Sequence, residues 1–106
     1  MTDETKTTEI EAAVFRRLLK HFQDRTDVQN IDLMGYGGFC RNCLYKWYAE
    51  EAGALGVDMP IEEAQEAIYG MPYADYKEKY QTPATDEQMR RMDISVAKNK
   101  LAQAKD

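Results

Sequence analysis

The chain has 106 residues and a net charge of −5, with 43% apolar and 31% charged side chains. That composition suits one globular domain and not a disordered chain, and the acidic balance argues against nucleic acid as a partner, which needs a basic face. No apolar run approaches the ~20 residues of a membrane span, and the opening MTDETKTTE lacks the basic and apolar parts of a secretory signal, so a cytoplasmic protein with reduced cysteines is expected.

The pattern predicts an all-α domain of about five helices over residues 1–106, with 1–7 and 102–106 as flexible ends. The first helix is expected over Thr8–Asp24. Ile10, Val14, Leu18 and Phe22 recur every four residues, and Phe15 and Leu19 widen the stripe. Thr8 and Glu11 have the spacing of a capping box. The following DRTDVQNIDLMGYGG is rich in Asp, Asn and Gly, which disfavour a long helix; Asp27 or Asn30 suits the cap of a short turn.

A second helix is expected from about Phe39 to Ala52, stopped by Gly53 and Gly56. Pro60 opens a third, with Ile61, Ala64 and Ile68 facing inward, and Gly70 closes it. The fourth runs from Pro72 to Tyr80 and carries Tyr73, Tyr76 and Tyr80 on one face. Thr85 and Gln88 form another capping box, which starts a helix from Asp86 to about Leu101 with Met89, Met92 and Val96 as its stripe.

The sharpest chemical signal is Cys40-x-x-Cys43. Two thiols at a helix start gain thiolate character, the form that attacks disulfides and binds metals. Zinc takes four ligands, so the pair needs others: His21, the only histidine, or the same pair from a second copy. Thioredoxin-like redox chemistry requires strands around the motif, and none is predicted. The blander use is two small buried side chains, a common fate of free cysteine. His21 alone suits the negative end of the first helix better than catalysis. The glycines of GYGGFC lack the lysine and serine of a phosphate loop, and read as a packing turn. The tyrosines suit core or interface, and Glu50–Glu51 and Glu62–Glu63 suit a solvated surface. No catalytic set is readable.

GYGGFCRNCLYKWY therefore reads as a structural joint, a glycine turn that lets the second helix start inside the core. Phe39, Cys40, Cys43, Leu44 and Trp47 are expected to be buried, while Arg41, Asn42 and Lys46 turn away. Arg41 is well suited to reach a carboxylate.

Three segments in order, RTDVQNIDLM, GFCRNCLYKWY and YGMPYADYKEKYQTPAT, resemble DUF1244, a family of short bacterial proteins of unknown function. The resemblance covers about Phe15 to Thr85. It implies an all-helical fold in an intertwined homodimer, and no catalytic residue or cofactor. From the residues themselves, a homodimeric binding or regulatory module is the first functional expectation. A metal-binding or thiol-redox protein built on Cys40, Cys43 and His21 is the alternative.

Overall fold

The computed structural model describes residues 3–104. Among these the chain is all-α, with six helices: α1 (Glu4–Asp24), α2 (Asn30–Gly37), α3 (Arg41–Ala54), α4 (Ile61–Tyr69), α5 (Tyr73–Tyr80) and α6 (Asp86–Ala104).

The cap of α1 is Asp3, whose carboxylate accepts from the Lys6 N–H at 2.8 Å, and not the expected Thr8. Thr8 lies inside the helix and its hydroxyl donates to the Glu4 carbonyl at 2.8 Å. Local chemistry also sets the other boundaries. Gly38 and Gly70 end α2 and α4 with φ of 77° and 73°, the left-handed conformation that glycine adopts without a Cβ penalty. Pro60 and Pro72 precede α4 and α5 as their caps. At α6 the expected capping box forms in both directions: Gln88 N–H donates to Thr85 Oγ1, and Thr85 N–H to Gln88 Oε1.

The additional helix, α2, replaces the expected turn. Its low intrinsic propensity is offset by packing along α6. Gly35 is buried there, and a Cβ on it would meet Arg91 Cγ at 3.0 Å. Polar bonds tie the two helices: Ser95 Oγ to the Met34 carbonyl at 2.6 Å, Asn99 Nδ2 to the Gly38 carbonyl at 2.8 Å, and Gln88 Nε2 to Asp32 Oδ1 at 3.0 Å. The α6 face that meets α2 is therefore partly polar, and of the expected stripe Met89 stays exposed while Met92 and Val96 are half-buried.

The core lies among α1, α3, α4 and α5. Leu19, Phe22, Leu44, Ile68, Tyr69 and Tyr76 form its buried centre. Phe15, Leu18, Phe39, Tyr45 and Tyr73 pack around it. Tyr69 stacks on Tyr73 with ring centroids 4.9 Å apart, and Tyr76 meets Tyr69 at 4.5 Å and Tyr80 at 5.1 Å. The expected aromatic face of α5 is thus core.

The chain is open for its size. Its radius of gyration is 15.6 Å, against about 13 Å for a compact domain of this length. It exposes 7845 Å², where a compact 12.2 kDa monomer exposes about 6100 Å².

Candidate functional site

The joint between α2 and α3 is where the sequence concentrated its unusual residues. Gly38 turns the chain, and Cys40 takes the cap position of α3 in extended conformation. Cys40 is buried and Cys43 half-buried; both are free thiols. Burial pushes the Cys40 thiol above its ordinary value, and the neighbouring Cys43 adds to the rise, while the N–H dipoles of Cys43 and Asn42 oppose it. A raised pKa keeps the thiol protonated near neutrality, the opposite of an activated thiolate. His21 is exposed in the last turn of α1. Among the described residues no three His, Cys, Asp or Glu side chains group so as to hold a metal ion, so His21 is not brought together with the cysteine pair.

The buried face of α3 is rotated from the one expected. Leu44 and Cys40 are inside, but Trp47 is 49% exposed, and the deepest large side chain is Arg41, 1% exposed. Trp47 covers Phe39 with a stacked ring at 6.1 Å. Among the described residues Arg41 takes no carboxylate. Its Nη2 donates to the carbonyls of Phe22 at 3.0 Å and Arg25 at 2.9 Å. Its Nη1 donates to the Val28 carbonyl at 2.9 Å and Asn30 Oδ1 at 3.0 Å. The Phe22 and Tyr76 rings flank the guanidinium, 5.3 and 5.6 Å from its carbon.

The physical reason lies at the end of α1. A helix leaves its last four carbonyls without intrahelical partners and carries partial negative charge there. Arg41 satisfies that end from inside, so a buried cation replaces both the missing bonds and a counter-ion. Amphipathic periodicity sorts residues by polarity and so placed Arg41 outside. The missed signal was the end of α1, which the sequence supplies with no C-terminal glycine.

Arg41 continues into a polar relay. Asn30 Nδ2 donates to the Tyr69 hydroxyl at 2.9 Å; Tyr69 donates to Asn42 Oδ1; Asn42 Nδ2 donates to the Tyr73 hydroxyl at 3.2 Å. Burial raises the pKa of Tyr69 and of Tyr76, so both stay neutral phenols at physiological pH.

On the other side of α3 is an apolar groove of about 480 Å³, lined by Phe15, Leu44, Trp47, Tyr48, Leu55 and Val57 among others. A second hollow of about 400 Å³ adjoins it at Phe15 and Tyr48 and runs along α1 by Ala12, Arg16 and Leu19. Exposed Ile10 and Val14 extend the apolar face of α1. Among the described residues no helix is long and apolar enough to cross a membrane.

No curated protein matches the chain. The family model described as protein of unknown function (DUF1244) matches residues 28–94, from Val28, one of the three residues whose backbone carbonyls Arg41 binds, to the middle of α6. Its span takes in Arg41, Asn30, Asn42 and the tyrosine stack, and the chain belongs to the DUF1244 family.

Proposed function

We propose that the chain works as a cytoplasmic homodimeric binding or regulatory module, a single domain over residues 1–106 without catalytic residues of its own. The supporting observation is apolar surface outside the core. Trp47, Leu55 and Val57 line the groove beside α3, and Ile10 and Val14 continue along α1. The surface beyond that of a compact monomer is roughly 1800 Å², more than the ~800 Å² per partner of a standard interface. Patches of this kind on soluble chains usually mark interaction sites. Light scattering of the full chain at micromolar concentration tests the reading. A mass twice 12.2 kDa is expected, falling to the monomer mass with Trp47→Asp. A wild-type monomer overturns it.

The alternative places zinc or thiol-redox chemistry at Cys40 and Cys43. The observation in its favour is two free thiols three residues apart at the start of α3. Against it stand the burial and raised pKa of Cys40, which suit a small packed side chain. A four-cysteine zinc site would take its second pair from another copy. Elemental analysis of protein purified without added metal, with thiol titration, separates these. Stoichiometric zinc supports the metal reading, two thiols that both react in the native protein with no metal leave redox chemistry open, and an inert Cys40 with no metal supports packing.

A further inference from the structure

Between the start of α2, the start of α3 and the end of α5 lies a small polar pocket of about 110 Å³. Gln29, Asn30, Asn42, Tyr73, Tyr76 and Thr82 contribute most of its lining, and among the described residues no acidic side chain does. Its chemistry follows from one residue behind it. Arg41 only donates, so Asn30 must present its carbonyl oxygen to Arg41 and its amide N–H to Tyr69. The Tyr69 proton then goes to Asn42 Oδ1, which leaves the Asn42 amide to donate to Tyr73. Arg41 thus sets the direction of the whole relay.

What the relay leaves over is donor capacity. The side-chain oxygens of Asn30 and Asn42 are already accepting, while each amide keeps a second N–H. The Tyr73 oxygen accepts from Asn42, so its own proton is free to be given. Gln29 is spent structurally, donating to the Tyr80 carbonyl and accepting from the Thr82 N–H. Cations stand beside two of the lining residues, Asn30 and Tyr73. Among the described residues Arg41 forms no ion pair, and Lys77 Nζ lies 5.0 Å from the centre of the Tyr73 ring. Asp27 feels the Arg41 field, but its carboxylate is bound by Arg25 outside the pocket.

We propose that this pocket binds a carboxylate, through the spare N–H groups of Asn30 and Asn42 and the hydroxyl of Tyr73. The volume admits a carboxylate with a short chain between the Tyr73 and Tyr76 rings, and is too small for a nucleotide. The carboxylate belongs either to a free small acid or to the C-terminus of a peptide.

The test is an NMR titration of the ¹⁵N-labelled full chain at fixed ionic strength with acetate, acetamide and N-acetylglycylglycine. Acetate should shift the Asn30 and Asn42 side-chain amides saturably, with Kd on the order of 1–10 mM, as suits a ligand of few atoms. Acetamide, equal in shape but neutral, should bind at least about tenfold more weakly, because charged acceptors make the stronger bonds. Tyr73→Phe keeps the ring and should weaken acetate about tenfold, the loss of one charge-assisted bond. At least tenfold tighter binding of N-acetylglycylglycine than of acetate assigns the pocket to peptide C-termini; otherwise it takes free acids. Non-saturating shifts, or equal responses to acetate and acetamide, overturn the proposal without any variant. Undiminished acetate binding by a folded Tyr73→Phe protein also overturns it.

Discussion

Arg41 Nη2 donates to the carbonyl of Phe22 at 3.0 Å, so the first residue of α3 closes the last turn of α1, nineteen positions upstream. Arg25 and Val28 supply two more carbonyls to the same guanidinium. Several acceptors converge on one planar fork, which a lysine ammonium cannot reproduce. Arg41→Lys is expected to cost about 2–3 kcal/mol, and Arg41→Ala about 4–5 kcal/mol, since one buried carbonyl, two part-buried ones and Asn30 lose their donor together. Urea midpoints under reducing conditions measure both. A loss below about 1 kcal/mol for Arg41→Ala would show that the end of α1 does not depend on it.

Trp47 calls for the opposite expectation from a core tryptophan. It is half exposed, and its ring stacks on Phe39. Trp47→Ala should therefore cost only about 1 kcal/mol in dilute protein, well short of the 3–5 kcal/mol of a buried truncation. In the homodimer reading the same change removes an interface anchor, and the wild-type unfolding midpoint rises with protein concentration while that of the variant does not. Denaturation curves at two concentrations a hundredfold apart check both statements.

Two glycines should respond in opposite directions. Gly38 has φ of 77°, and a Cβ there would meet Asn99 Oδ1 at 2.8 Å, the residue that holds α6 to the turn. Gly38→Ala should cost about 1–2 kcal/mol. Gly53 lies within α3 with open space around its Cα. Gly53→Ala should stabilise the chain by about 0.5–1 kcal/mol, because alanine is the better helix former. Thermal midpoints of the two variants give the comparison directly.

What is legible in the sequence is chemistry confined to neighbouring residues. Thr85 and Gln88 named the start of α6, Gly70 the end of α4, and Pro60 and Pro72 the entries to α4 and α5. α2 was missed because its stability comes from α6, some sixty residues away, through Gly35, Ser95 and Asn99. Arg41 was misplaced because the demand for it sits at the end of another helix. The cysteine pair stood out by spacing alone, while the polar relay has no spacing signature: Asn30, Asn42, Tyr69 and Tyr73 meet only in the folded chain.

The fold should lose stability at alkaline pH. Burial raises the pKa of Cys40 from its ordinary 9.0, and those of Tyr69 and Tyr76 from 10.0. All three are neutral when protonated. The folded chain therefore holds these protons more tightly than the unfolded chain, whose groups titrate near their ordinary values. Their contribution is fully present below the unfolded values and is lost as pH rises from those values through the raised folded ones. Stability should be level up to about pH 8 and then fall, first through Cys40 and then more steeply through the tyrosines. Tyr76→Phe removes one titrating hydroxyl that makes no hydrogen bond among the described residues, so it should flatten the upper part of the fall while leaving stability at pH 7 within about 1 kcal/mol. Cys40→Ala should flatten the lower part. Thiol labelling gives an independent readout, with half-buried Cys43 reacting in the native protein and Cys40 reacting only at the rate of unfolding. If stability stays level to pH 10 in the wild-type chain, burial is not what governs these groups.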